Sequence, residues 1–201
     1  AGPTNAVDGF LTCTAAQART RWAQATQAQL TVQWTHALTN PIPLAGHAAL
    51  RAEHASTQWA TARNLRLSAN FDHAQGPTPP PVPALGFWTN LLPYRISWQG
   101  RLTDLETAKV PAREVSCGGT WAAPELNVTN CHALLAQGGF NAQAALDVNT
   151  RAVRATFSSD LDPHQLAPLL SGSGRRLLGK LSWPQPPALH AQASWVLSLW
   201  T

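Results

Sequence analysis

The chain has 201 residues, enough for one sizeable domain or a few repeat units, and a formal net charge of +4. Only 12% of the residues are charged. Its Arg residues are scattered, Arg175-Arg176 being the one adjacent pair, so no basic block with interleaved aromatics marks a nucleic-acid partner. No run approaches the ~18 apolar residues of a membrane-spanning helix.

The opening, Ala1-Gly-Pro-Thr4, has neither an initiator Met nor a signal sequence, so the chain reads as an excised part of a larger polypeptide. From there the dominant pattern is alternation of apolar and polar residues, not helical spacing. It predicts strands near residues 11–22, 28–38, 47–59, 64–72, 95–104 and 108–120. Leu30, Val32 and Trp34 alternate with Gln29, Thr31 and Gln33, and Leu65, Leu67, Ala69 and Phe71 with Asn64, Arg66, Ser68 and Asn70. Such strands have one apolar and one polar face.

Two phrases recur. Thr20-Arg-Trp22-Ala23 returns as Thr57-Gln-Trp59-Ala60 and, in a copy that has lost one residue downstream, as Gly119-Thr-Trp121-Ala122. Val32-Gln-Trp34 returns as Ile96-Ser-Trp98. The spacings from Trp59 to Trp121 and from Trp34 to Trp98 are similar, the mark of a repeat protein whose units cover one another's exposed faces. On this reading Trp22, Trp59 and Trp121 hold equivalent places at a strand end before a turn. They either cover the hairpin's apolar face or form a stacking surface for sugar or acyl chains.

Pro77, Pro79, Pro80, Pro81, Pro83 and Pro93 stiffen a connection between the two repeat regions. Beyond it, a reversal around Ala123-Pro124-Glu125 sets Cys117 opposite Cys131. A cross-strand disulfide is geometrically possible there and would favour an oxidising compartment; two free thiols are the alternative. Gln137-Gly138-Gly139 is another reversal. A two-residue turn at Asn149-Thr150 then pairs Leu146 with Val153, Ala144 with Ala155 and Ala142 with Phe157, all on one side. Ser159 to Leu181 is the one helical stretch, with Asp162 as cap, Pro163 at the first helical position and Leu166, Leu169 and Leu170 on one apolar face. Gly172 and Gly174 interrupt it, and a last strand occupies 188–200. The chain thus divides into a first β-repeat region (1–75), a Pro-rich connection (76–94), a second β-repeat region (95–160), a helical segment (161–182) and the start of a further β-repeat (183–201).

No catalytic or metal site stands out, and no cofactor is expected. The seven His have no metal-binding spacing. Asp72-His73 is an adjacent acid and imidazole, but strand neighbours point to opposite faces. Ser171-Gly-Ser173-Gly174 echoes a nucleophile elbow without its first Gly or its preceding strand, and reads as a flexible break. Asn127-Val-Thr129 matches a glycosylation acceptor in a chain without a secretory signal.

Gly119 to Thr129, then Phe157-Ser-Ser-Asp160-Leu-Asp162-Pro163 with Leu166, Leu169 and Leu170, then Pro186-Pro187-Ala-Leu189, resemble the AsmA-like proteins. These are large bacterial envelope proteins related to the translocation-and-assembly-module subunit. The resemblance covers residues 95–200, and without the family's amino-terminal membrane anchor it again suggests a fragment. It implies an antiparallel sheet curved into an open trough, periplasmic or envelope location, and an apolar face that carries phospholipid acyl chains. It implies no strict site residues. The expectation is an all-β, repeated antiparallel meander forming a curved open sheet or groove, with one short helical segment near 162–180. Its role is that of a non-enzymatic segment of a larger polypeptide. The groove would be lined by Leu30, Val32, Trp34, Leu65, Leu67, Phe71, Leu126, Val128, Leu146, Val153 and Phe157 and take phospholipid or another acyl-chain ligand. The alternative is a carbohydrate-binding β-sandwich using exposed Trp; a hydrolase whose site is invisible in sequence is the third reading.

Overall fold

The computed structural model describes residues 6–74, 83–108, 110–135 and 138–199, with the backbone alone for 40–41, 83–85, 87, 166 and 169. Residues 1–5, Pro77, Pro79, Pro80, Pro81, Gln137 and Trp200, and the side chains of Leu166 and Leu169, on which parts of the reading above rest, lie outside that description.

Ten strands form one open antiparallel sheet in strict chain order. They are β1 (Ala6–Arg19), β2 (Ala23–Ala37), β3 (Asn40–Thr57), β4 (Ala60–His73), β5 (Tyr94–Thr107), β6 (Ala112–Ala122), β7 (Glu125–Leu134), β8 (Gly139–Asp147), β9 (Ala152–Ser159) and β10 (Leu189–Val196). β1 and β10 are the edges, so the sheet does not close on itself. Among the described residues there are also two short 3-10 segments, Pro83–Leu91 and Pro163–Leu169, and one α-helix, α1 (Gly172–Leu178). The all-β meander with a short helix is therefore the fold that alternation predicted.

A single-layer sheet has little interior. The accessible surface is 13591 Å², about half as much again as the roughly 9,200 Å² that size scaling gives a compact chain of this mass. Among the described residues only eleven apolar side chains are buried, and no polar or charged one. Six of them gather in two clusters at opposite ends of the strands. At one end the 83–91 segment and Leu92 lie over the sheet: Leu92, Trp121 and Val148 are buried there, with Trp88, Leu91, Ile96, Leu126 and Leu146 packed around them. At the other end the chain leaving β9 covers Ala112, Leu135 and Leu161, flanked by Val115, Ala133 and Phe140. Ser159 and Asp160 fasten this cover, through Ser159 Oγ donating to the Gly139 carbonyl (2.9 Å) and Gly139 N–H donating to Asp160 Oδ1 (2.6 Å). The described part of the Pro-rich connection, through Trp88, Leu91 and Leu92, is thus a packing element, and Ala74 N–H donates to the Pro93 carbonyl beside it.

The predicted β8–β9 register holds residue for residue: Leu146 faces Val153, Ala144 faces Ala155 and Ala142 faces Phe157. Cys117 faces Cys131 as expected. The turn between them is one residue tighter than expected, since Ala122 faces Glu125, and Thr129 is left over as a bulge that restores the pairing. Asp162 caps the first helical piece, accepting from His164 N–H, with Pro163 following.

Two expectations are corrected. Gly172 and Gly174 do not interrupt the helix. They lie inside α1, because Ser171 takes the N-cap position and its Oγ accepts from Gly174 N–H (3.3 Å). The three repeated Trp are not equivalent either. Thr20 and Thr57 make the same turn at the same end of the sheet: each hydroxyl accepts the N–H groups two and three residues on and donates to the latter's carbonyl. Trp22 and Trp59 ride on these tips at 61% and 68% exposure. Trp121 sits at the far end of β6, 2% exposed. The next structural copy of the turn is Thr107 with Val110, which has no Trp. The repeating unit is therefore a two-strand hairpin, and the Trp-to-Trp spacings do not follow it.

Candidate functional site

Facing residues in antiparallel strands share a face, so the register assigns every side chain. One row crosses the whole sheet as Leu11, Val32, Ala48, Ala69, Trp98, Gly119, Val128, Ala144, Ala155 and Ala193. The next runs Gly9, Trp34, Gly46, Phe71, Ile96, Trp121, Leu126, Leu146, Val153 and Trp195. The third runs Cys13, Leu30, Leu50, Leu67, Gly100, Cys117, Cys131, Ala142, Phe157 and Ala191. No polar side chain other than the thiols interrupts any of them.

The opposite face is mostly polar, with Phe10, Leu134 and Val196 as exposed apolar exceptions. One of its rows reads Gln29, Arg51, Arg66, Arg101, Ser116, His132, Asn141, Ser158 and His190. Cross-strand polar pairs stitch it: Thr35 Oγ1 donates to Asp8 Oδ1 (2.7 Å), and the Nδ1 of His47 and of His132 to the side-chain carbonyls of Asn70 (2.8 Å) and Asn141 (2.9 Å).

The three apolar rows span about 43 Å by about 14 Å, on the order of 600 Å² before side-chain width is added. Part of that footprint is covered, Trp121, Val153 and Ala155 being buried; the largest exposed patch on an ordinary soluble monomer is about 300–600 Å². The two coverings take only its ends over the central strands, leaving a strip between them that runs across the strands. Leu30 remains 36% and Leu67 41% exposed. Within one row aromatic rings lie over the facing glycines: a Cβ on Gly9 would run into the Trp34 indole, and one on Gly46 into Phe71.

All eleven residues expected to line a groove, Leu30 to Phe157, sit on this one face. They are not equally open, because Leu126 and Leu146 pack under the 83–92 cover and Val153 is buried. Sequence reading missed the contributions of β1 and β3, where Gly9, Leu11, Gly46, Ala48 and Leu50 carry the same alternation in small residues, and it treated Trp98 only as a repeat marker.

The acid, imidazole and hydroxyl groups with catalytic chemistry stand apart. His73 Nδ1 approaches the Ala74 carbonyl (3.2 Å) with its ring edge-on to Tyr94, while Asp72 faces Arg95 on the polar side. Ser171 is a helix cap. Among the described residues no three His, Cys, Asp or Glu converge as a metal cluster. Asp162 has its carboxyl held below the usual range by the His164 backbone N–H and then by the His164 ring (2.8 Å), an exposed cap rather than a catalytic pair.

Cys117 and Cys131 are free thiols, directly opposed on the apolar face. Burial, then the hydrogen bond and charge of Cys131, push the Cys117 thiol up to about 12. The native chain therefore keeps a proton that the unfolded chain releases near 9.0. This contribution to stability is complete below that pH and is lost as pH rises toward the folded value. In reduced native protein, timed alkylation in mildly alkaline buffer is expected to modify exposed Cys13 at once and Cys117 slowly. Three thiols reacting at one rate would contradict the half-buried, opposed pair. A single reactive thiol in unreduced, denatured protein would show that Cys117 and Cys131 had joined.

The fold and face define a class: an open, single-layer, amphipathic antiparallel β-sheet protein. No protein-family model, curated protein or solved structure matches the chain.

Proposed function

We propose that this chain is a non-enzymatic segment of a bacterial envelope protein whose apolar face carries phospholipid acyl chains, in lipid transfer or outer-membrane assembly. The observation that supports this most is the unbroken passage of three apolar rows across ten strands with cover at the strand ends only. A sheet of this kind must bury that face against something. An acyl chain laid along it gains about 0.8 kcal/mol per buried methylene, and needs no polar group to hold it. The open edges of β1 and β10 present unpaired backbone on which further strands of a longer chain would extend the same face.

The rival, carbohydrate binding through exposed Trp, has Trp22 and Trp59 at neighbouring tips in its favour, but the described strands form one sheet and not two. Native mass spectrometry after gentle purification separates them. Co-purified phospholipid is the expected result. No lipid, with Trp fluorescence quenched by soluble glycans, would overturn the proposal in favour of the rival.

A further inference from the structure

We propose that the polar face holds an anion site, formed by Arg51, Arg66 and Arg101, for a phosphate-bearing group of two or more negative charges. The three residues face one another in sequence on β3, β4 and β5. Adjacent strands stand about 4.8 Å apart, so the three side chains leave the same face from backbone positions spread over only about 10 Å. Like charges directly opposed weaken a sheet. This chain has only fourteen cationic side chains, and it sets three of them in one row.

Their charge is not balanced from within. Glu114 pairs with Arg101 at 2.9 Å, but Arg51 and Arg66 form no ion pair among the described residues. Glu53, the nearest carboxylate along β3 on the same face, makes none either. The row borders a depression of about 520 Å³ whose floor is shallow because Ala49 and Gly118 carry little or no side chain. Ser68, Gln99, Ser116 and Asn130 line it with neutral hydrogen-bonding groups. Guanidinium forks match phosphate oxygens two at a time, and neighbouring forks can take different oxygens of one phosphate or diphosphate. A single carboxylate would leave most of this charge uncompensated. The site lies on the face opposite the apolar rows, so it stands whether or not those rows take acyl chains.

The group can come from a free phosphate or from a lipid headgroup, and two titrations at low salt tell them apart. One uses inorganic pyrophosphate by calorimetry; the other uses vesicles containing cardiolipin, whose headgroup carries two phosphates, against phosphatidylcholine vesicles, by flotation. Each is run on the wild type, on Arg66→Gln, and on Arg154→Gln, an exposed arginine elsewhere on the polar face. Circular dichroism verifies that the variants are folded. Saturable pyrophosphate binding that weakens about tenfold or more in Arg66→Gln and less than about twofold in Arg154→Gln supports a free phosphate. The same pattern with cardiolipin vesicles alone supports a headgroup. Absence of saturable binding in both titrations, or equal losses in the two variants, overturns the site.

Discussion

Trp121→Ala is expected to destabilise the sheet by about 3–5 kcal/mol, the range for removing a buried aromatic. The indole is 2% exposed, stacks on Trp88 with ring centroids 5.0 Å apart, and donates its Nε1–H to the Leu91 carbonyl at 2.8 Å. Truncation therefore opens a cavity and releases the segment that covers this end of the sheet. Trp121→Phe keeps most of the burial but leaves the Leu91 carbonyl without its donor, for a loss of about 1–2 kcal/mol. Trp22→Ala and Trp59→Ala, on exposed tips, are expected to stay within about 0.5 kcal/mol of the wild type. Urea midpoints at constant slope measure all four. Equal losses at Trp22 and Trp121 would restore the equivalence that the repeated phrase suggested and contradict the structural one.

The second large effect concerns the apolar face. Leu67 lies in the middle of its row between Leu50 and Gly100 and is 41% exposed, so substitution there leaves the fold largely intact. Leu67→Ala removes a few methylenes from a surface that binds by summed contact, and lipid affinity is expected to fall only several-fold. Leu67→Asp places an unpaired carboxylate where an acyl chain would lie, and desolvating it costs several kcal/mol, enough to lose more than about a hundredfold. Val32→Asp on β2 is expected to act alike, although half-buried Val32 will cost some stability too. A folded Leu67→Asp protein that kept full affinity would place the ligand elsewhere.

Local alternation made the strands and their faces legible, because a side-chain period of two is written directly in residues such as Leu65, Leu67 and Phe71. The β8–β9 register was legible for the same reason, turn and pattern agreeing. Cys117 and Cys131 were found opposite each other through two features that cancel: a tighter turn at Ala123-Pro124 and a bulge at Thr129, neither visible in the residues alone. The repeat was misread because Trp draws the eye while the side chain that builds the turn is Thr; Thr107 makes the same turn with no Trp beside it. The helix at Gly172 was misread because its intrinsic cost of Gly is outweighed locally by the Ser171 cap. Of the candidate face, the large residues were legible. The Gly and Ala positions that complete its rows were not, since small residues signal a face only through the register of their neighbours. The covering by Trp88 and Leu92 is tertiary, and no local pattern announces it.

The most direct measurement is a photo-crosslinking map with a phospholipid that carries a diazirine in its acyl chain, read by peptide mass spectrometry. Adducts are expected on residues of the uncovered strip, at Leu30, Leu67, Trp98 and Phe157, and to disappear in Leu67→Asp. Adducts distributed equally over the polar face, or confined to Trp22 and Trp59 at the hairpin tips, would contradict the account.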